Sequence, residues 1–194
     1  MTRERARRAH RFVPLGVVAA LLTVACSASP SLEDYIASME RHTDAYVDES
    51  QSLSFEYQSA VEDGVRRIVA EGGADPTGEA LMLVTSQTVQ YLALLGDAMD
   101  RYHTAIEPLV PTKEVVADHD AYAAAVGSVV SSLPPTRTAV EAATSISEVQ
   151  LALASSGFAD GQLRWTATCS TLEQTVRDQG RGIDLRCVVP VADP

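Results

Sequence analysis

Three histidines flanked by acids are the residues of this chain best suited to chemistry. His42, His103 and His119 lie in its body, and Asp100-x-x-His103 puts a carboxylate and an imidazole on one helical face. Asp118-His119-Asp120 supplies two more acids. A dinuclear carboxylate site in a helical protein takes two Glu-x-x-His pairs plus two further glutamates, all pointing inward. The sequence holds one such pair, with Asp in place of Glu. Asp100, His103 and His119 are therefore candidate metal or small-ligand residues rather than a complete ligand set. His103 and His119 also fall beside apolar positions, where a hydrogen-bonded or half-exposed histidine is the ordinary role. No cofactor is expected.

Tyrosines form a second pattern. Tyr35, Tyr46 and Tyr57 recur every 11 residues, as do Tyr91 and Tyr102. That step returns almost to the same helical azimuth, so each set lines one stripe. A row of phenols suits a groove for a sugar, a peptide or an apolar ligand, and equally suits a core edge with buried rings. Trp165, the only tryptophan, carries the same two readings. Nucleophilic catalysis needs a nucleophile, a base and an orienting group within reach, and no local signature brings them together. Nor does a Gly-rich phosphate loop occur between a strand and a helix.

The elements that must position these residues follow from periodicity. Ser31 is placed to cap a helix, with Asp34 at its third position reaching back to a free amide. Leu32, Ile36, Met39, Thr43, Tyr46, Ser50, Leu53, Tyr57 and Ala60 then alternate in steps of four and three, which predicts a helix to about Ala70. Gly72-Gly73-Ala74-Asp75-Pro76 ends it. A second helix carries Leu81, Thr85, Thr88, Leu92, Leu95, Met99, Tyr102 and Ile106 up to Pro108 and Pro111. Two long helices joined by a short turn are expected to pair as an antiparallel hairpin. Thr112 is expected to cap a third helix and Pro134-Pro135 to break it, with a fourth starting near Thr136 and restarting at Ser145-Ile146-Ser147-Glu148. A last helix, about Phe158 to Gln179, carries Phe158, Leu163, Cys169, Leu172 and Val176. The expected fold is all-α: an antiparallel helical bundle over residues 31–194 with a long N-terminal hairpin and an extended C-terminal tail.

The N-terminus is of a different kind. Residues 1–11 hold Arg3, Arg5, Arg7, Arg8 and Arg11, and Phe12 to Ala25 is an uncharged, mostly apolar run. As a helix that run spans roughly 21 Å, short of the roughly 30 Å hydrocarbon core. A basic region, a short apolar region and small residues after it read as a secretory signal peptide. The run closes on Leu22-Thr23-Val24-Ala25-Cys26, which resembles the lipobox of bacterial lipoproteins, with Thr23 standing where an aliphatic residue is commoner. The resemblance implies a diacylglycerol on the Cys26 sulfur and removal of residues 1–25. Residues 26–30 are then anchor and linker, Ser27 to Pro30 reaching at most roughly 14 Å. The chain beyond lies at the extracytoplasmic face of the cell membrane.

With Cys26 lipidated, Cys169 and Cys187 remain, and an even remainder in an oxidising compartment points to one disulfide. The tail is expected to turn back at Gly180–Gly182 and lay Ile183, Leu185 and Cys187 on the last helix, with Asp184 and Arg186 outward. From Cys26 onward 10 basic residues face 25 acidic ones, a net of −15. Such a surface does not track nucleic acid, which requires clustered Lys and Arg. The leading functional reading is a membrane-tethered, non-enzymatic helical module that interacts with an envelope protein or an extracellular ligand. The alternative is a metal- or small-ligand-binding envelope bundle using His103, His119 and nearby acids. An envelope hydrolase ranks last.

Overall fold

The computed structural model describes residues 31–155 and 157–187. The expected signal segment 1–25, Cys26 with the expected linker 27–30, and the chain after Cys187 lie outside the described residues. The described residues form five helices, α1 (Leu32–Glu71), α2 (Pro76–Ile106), α3 (Val116–Glu141), α4 (Ile146–Ser155) and α5 (Phe158–Asp178). There is no strand among the described residues. The chain is all-α.

Local chemistry sets four of the helix ends. The Ser31 hydroxyl accepts from the Asp34 amide at 3.1 Å while the Asp34 carboxylate takes the Ser31 amide, a complete capping box. Gly72 ends α1 at φ 61°, a left-handed turn that favours glycine. Asp75 caps α2 by accepting from the Gly78 amide at 3.0 Å, with Pro76 in the first turn where its missing N–H costs nothing. At α4 the Ser145 hydroxyl accepts from the Glu148 amide at 3.2 Å. The Glu148 carboxylate reaches one residue further back, to the Thr144 amide at 2.6 Å.

Three sequence expectations are corrected. Pro134 and Pro135 do not break α3, which runs through both to Glu141. The buried positions Val126, Val129, Leu133, Thr136 and Val140 keep steps of three and four across the pair, and both prolines face solvent. Burial of that continuous stripe outweighs the roughly 3 kcal/mol helix penalty of a proline. Hydroxyls take up carbonyls here, Ser132 on Val129 at 2.7 Å and Thr136 on Ser132 at 2.7 Å. Thr112 does not cap α3 through its side chain; its carbonyl accepts from the Val115 and Val116 amides, and Val115 occupies the cap position. Leu163 is 71% exposed, because the buried face of α5 is Phe158, Gly161, Trp165, Cys169, Leu172 and Val176.

Backbones pack in the order α1 on α2, α2 on α3, and α3 on α5. Contacts between α1 and α2 run in opposite senses along the chain: Thr43 meets Tyr102, Tyr57 meets Thr88, and Gly64 faces Leu83. No Cα of α1 comes within 8 Å of α3, α4 or α5 among the described residues. Large side chains fill that side, including Tyr46 against Trp165 at 5.7 Å between ring centroids. Segment 181–187 fills the rest. The core thus occupies one half of the long helices, since no residue between 51 and 87 is buried.

Candidate functional site

The tyrosine stripes meet each other inside the fold. Tyr46 of α1 stacks on Tyr102 of α2 with centroids 5.0 Å apart, and Tyr57 lies at the same distance from Tyr91. The Tyr102 hydroxyl sits between Thr43 Oγ1 at 2.9 Å and the Tyr122 hydroxyl at 2.5 Å, linking α1, α2 and α3. Tyr35 Oη pairs with His119 Nδ1 at 3.0 Å, a second buried link between α1 and α3. These polar atoms lie within the core, where satisfied hydrogen bonds fix which helix faces which.

Burial governs their electrostatics. It raises the phenols of Tyr35, Tyr46, Tyr102 and Tyr122 above the ordinary tyrosine range. Burial likewise lowers the affinity of His119 for a proton, against smaller opposing effects of Asp120 and the Glu107 backbone. The cluster is neutral at physiological pH: the phenols are protonated and the imidazole uncharged. Protonated phenols are poor nucleophiles, and the hydrogen bonds of these groups hold the helices together. His119 Nε2 and Trp165 Nε1 are buried without a well-formed hydrogen bond among the described residues.

The candidate ligand residues are dispersed. Asp100 is exposed at a depression of about 220 Å³ between α2 and α3, shared with Asp97 and Arg137. His103 is half-buried against Gly127, where an added Cβ would stand 3.0 Å from its Nε2. His119 is engaged with Tyr35, and Asp118 accepts from Thr175 Oγ1 of α5 at 2.6 Å. Among the described residues one set of three His, Cys, Asp or Glu has ligand atoms within 4.8 Å of one another: Cys169, Glu173 and Cys187. Its two sulfurs are bonded to each other. A second depression, about 230 Å³, lies over Tyr46 and Tyr102, with the Arg101–Glu49 ion pair at 2.6 Å on its rim. Both fall below the roughly 300–1,000 Å³ of small-molecule sites.

The more developed site is where α1, α5 and segment 181–187 meet. The disulfide joins Cys169 of α5 to Cys187 across a sequence separation of 18. Ile183 and Leu185 are buried, Asp184 and Arg186 exposed, in the alternation the sequence suggested. The segment is not uniformly extended, since Arg186 turns to φ 46°. Its amides find side chains: Asp184 N donates to Glu40 Oε1 of α1 at 3.1 Å, and Leu185 N to Glu173 Oε1 of α5 at 2.8 Å. Arg181 pairs with Glu33, and Arg186 with Asp44 at 2.9 Å. Sequence reasoning placed the segment against α5 and missed α1. The signal was present: Glu33, Glu40, Asp44 and Asp48 lie on one stripe of α1, opposite two arginines in the tail.

No helix among the described residues is long and apolar enough to cross a membrane. Comparison with protein-family models, curated proteins and solved structures finds no match.

Proposed function

We propose that this protein is a lipid-anchored helical module at the extracytoplasmic face of the cell membrane. Its task is non-enzymatic interaction with an envelope protein or an extracellular ligand. The observation that carries the reading is the cysteine arithmetic. Of three cysteines, Cys169 and Cys187 are bonded to each other, and Cys26 remains, behind an apolar run that ends in small residues. Disulfides belong to oxidising compartments, which agrees with export. Two acyl chains on Cys26 suffice for stable anchoring, each buried CH₂ contributing about 0.8 kcal/mol. The domain, residues 31–194, is an antiparallel bundle with a docked tail, held close to the membrane by the short linker 26–30. Its long hairpin extends away from the linker: α1 has 40 residues, roughly 60 Å at 1.5 Å per residue.

Fractionation tests the proposal. Wild-type protein is expected in the membrane fraction, extractable by detergent and not by high salt. Cys26→Ser is expected to accumulate as precursor or to leave the membrane, with its helical circular dichroism intact. Equal membrane retention of mature-length wild type and Cys26→Ser would refute lipid anchoring at this residue.

A further inference from the structure

We propose that the groove between α1 and α5 is a peptide-binding site which residues 181–187 fill in cis. Once the Cys169–Cys187 bond is opened, a partner segment of the same chemistry enters: an extended peptide, apolar at alternate positions, with an arginine to either side. The inference deepens the interaction-module reading and rests on it.

Segment 181–187 is held as a ligand is held. Beyond Arg181, whose amide donates to the Val176 carbonyl, it makes no backbone–backbone hydrogen bond among the described residues. The amides of Asp184 and Leu185 instead meet carboxylates from opposite walls, Glu40 on α1 and Glu173 on α5. Ile183 and Leu185 are 7% and 2% exposed, so alternate side chains enter the interior. Main-chain bonds for affinity and alternate side-chain pockets for selectivity are the usual terms of extended-peptide recognition. The helices themselves leave room for it, because α1 and α5 bring no Cα atoms within 8 Å of each other.

Charge defines the partner. The α1 wall presents Glu33, Asp44 and Asp48, which Arg181 and Arg186 answer at the exposed rim. An acidic peptide would set like charges together; a basic one reproduces the pairs. Exposed ion pairs contribute little affinity, so they select among peptides that the apolar positions already hold.

The disulfide keeps the groove closed. Tethering holds the tail at an effective concentration that a free peptide does not match. Opening requires a dithiol reductant. Its two thiols become one disulfide, and Cys169 and Cys187 each take up an electron and a proton to end as thiols. Gly180, at φ 76°, lies where the released segment would swing away.

The test uses the full chain in detergent, carrying Cys187→Ser and Leu185→Asp to weaken the resident segment. A fluorescent peptide of residues 180–187 with Cys187→Ser is titrated in and followed by anisotropy. Saturable binding is expected, about tenfold weaker for a peptide with Arg181→Glu and Arg186→Glu, and absent for the oxidised wild-type chain. A variant that keeps its helical signal and binds no peptide overturns the proposal, as does equal binding by the oxidised wild type. Should the variant lose its helices, reduced wild type is digested briefly with trypsin. Cleavage at Arg181 and Arg186 with the helices intact supports a separable ligand. Protection of both sites, or collapse of the helices with release, overturns it. Neither readout involves Cys26, so failure of the anchoring and failure of the groove are told apart.

Discussion

At His119 the interior keeps an imidazole neutral, and that has a pH consequence of defined sign. Burial lowers its folded-state pKa below the ordinary 6.5. Between the two values the unfolded chain binds the extra proton, so stability is full above about 6.5 and declines as pH falls toward the folded value. Denaturant midpoints at stepped pH should show that decline, and His119→Gln should flatten it. Glu148 acts lower, because hydrogen bonds from Thr144 lower its pKa from 4.5. Its contribution is present above that value and lost as pH falls through the folded one. At Cys187 the expectation concerns the chain's entropy. A loop of 18 residues implies about 3 kcal/mol on the chain-entropy model. Cys187→Ser should lower Tm by roughly 2–4 °C per kcal/mol for a chain of this size. An unchanged melting curve would show that the staple adds no stability.

Among the elements, α3 gives the sharpest prediction. Pro134 and Pro135 are exposed and lie inside a helix that packing sustains. Replacing either by Ala restores a backbone donor, for the carbonyl of Val130 or Ser131, and should stabilise by about 1–3 kcal/mol. Loss of stability would mean the prolines set a helix direction that the core requires. In α1 and α2 the half between residues 51 and 87 has no buried residue. Its amides should exchange faster than those of Met39 to Val47 or Leu92 to Ile106, and uniform protection along both helices would contradict this. Helix positions were legible because steps of three and four survive in α1, α2 and α5. The prolines misled because a local penalty was weighed without the buried stripe from Val126 to Val140. Leu163 misled because its apolar side chain lies off the face that Trp165, Cys169 and Leu172 bury. The site was legible in part. The Cys169–Cys187 pairing and the alternation at Ile183 and Leu185 could be read from the chain. The meeting of Tyr35 with His119, and of Asp184 with Glu40, depends on which helices become neighbours, information that no local pattern contains.

At the scale of the whole molecule, the proposed anchor would tie an acidic domain to a surface of its own sign of charge. From Cys26 onward 25 acids face 10 bases. Electrostatics therefore gives no attraction to anionic headgroups, and on the proposed anchoring residence at the membrane would rest on covalent lipid. The acids also have a local use, since Glu33, Asp44 and Asp48 receive the arginines of the C-terminal segment. Lipid anchoring at Cys26 is checked by the intact mass of the protein from the membrane fraction. The expected species is a chain beginning at Cys26, with acyl mass on that residue and two hydrogens fewer than the reduced sequence for the Cys169–Cys187 bond. An unmodified chain, or one beginning elsewhere than Cys26, would contradict it.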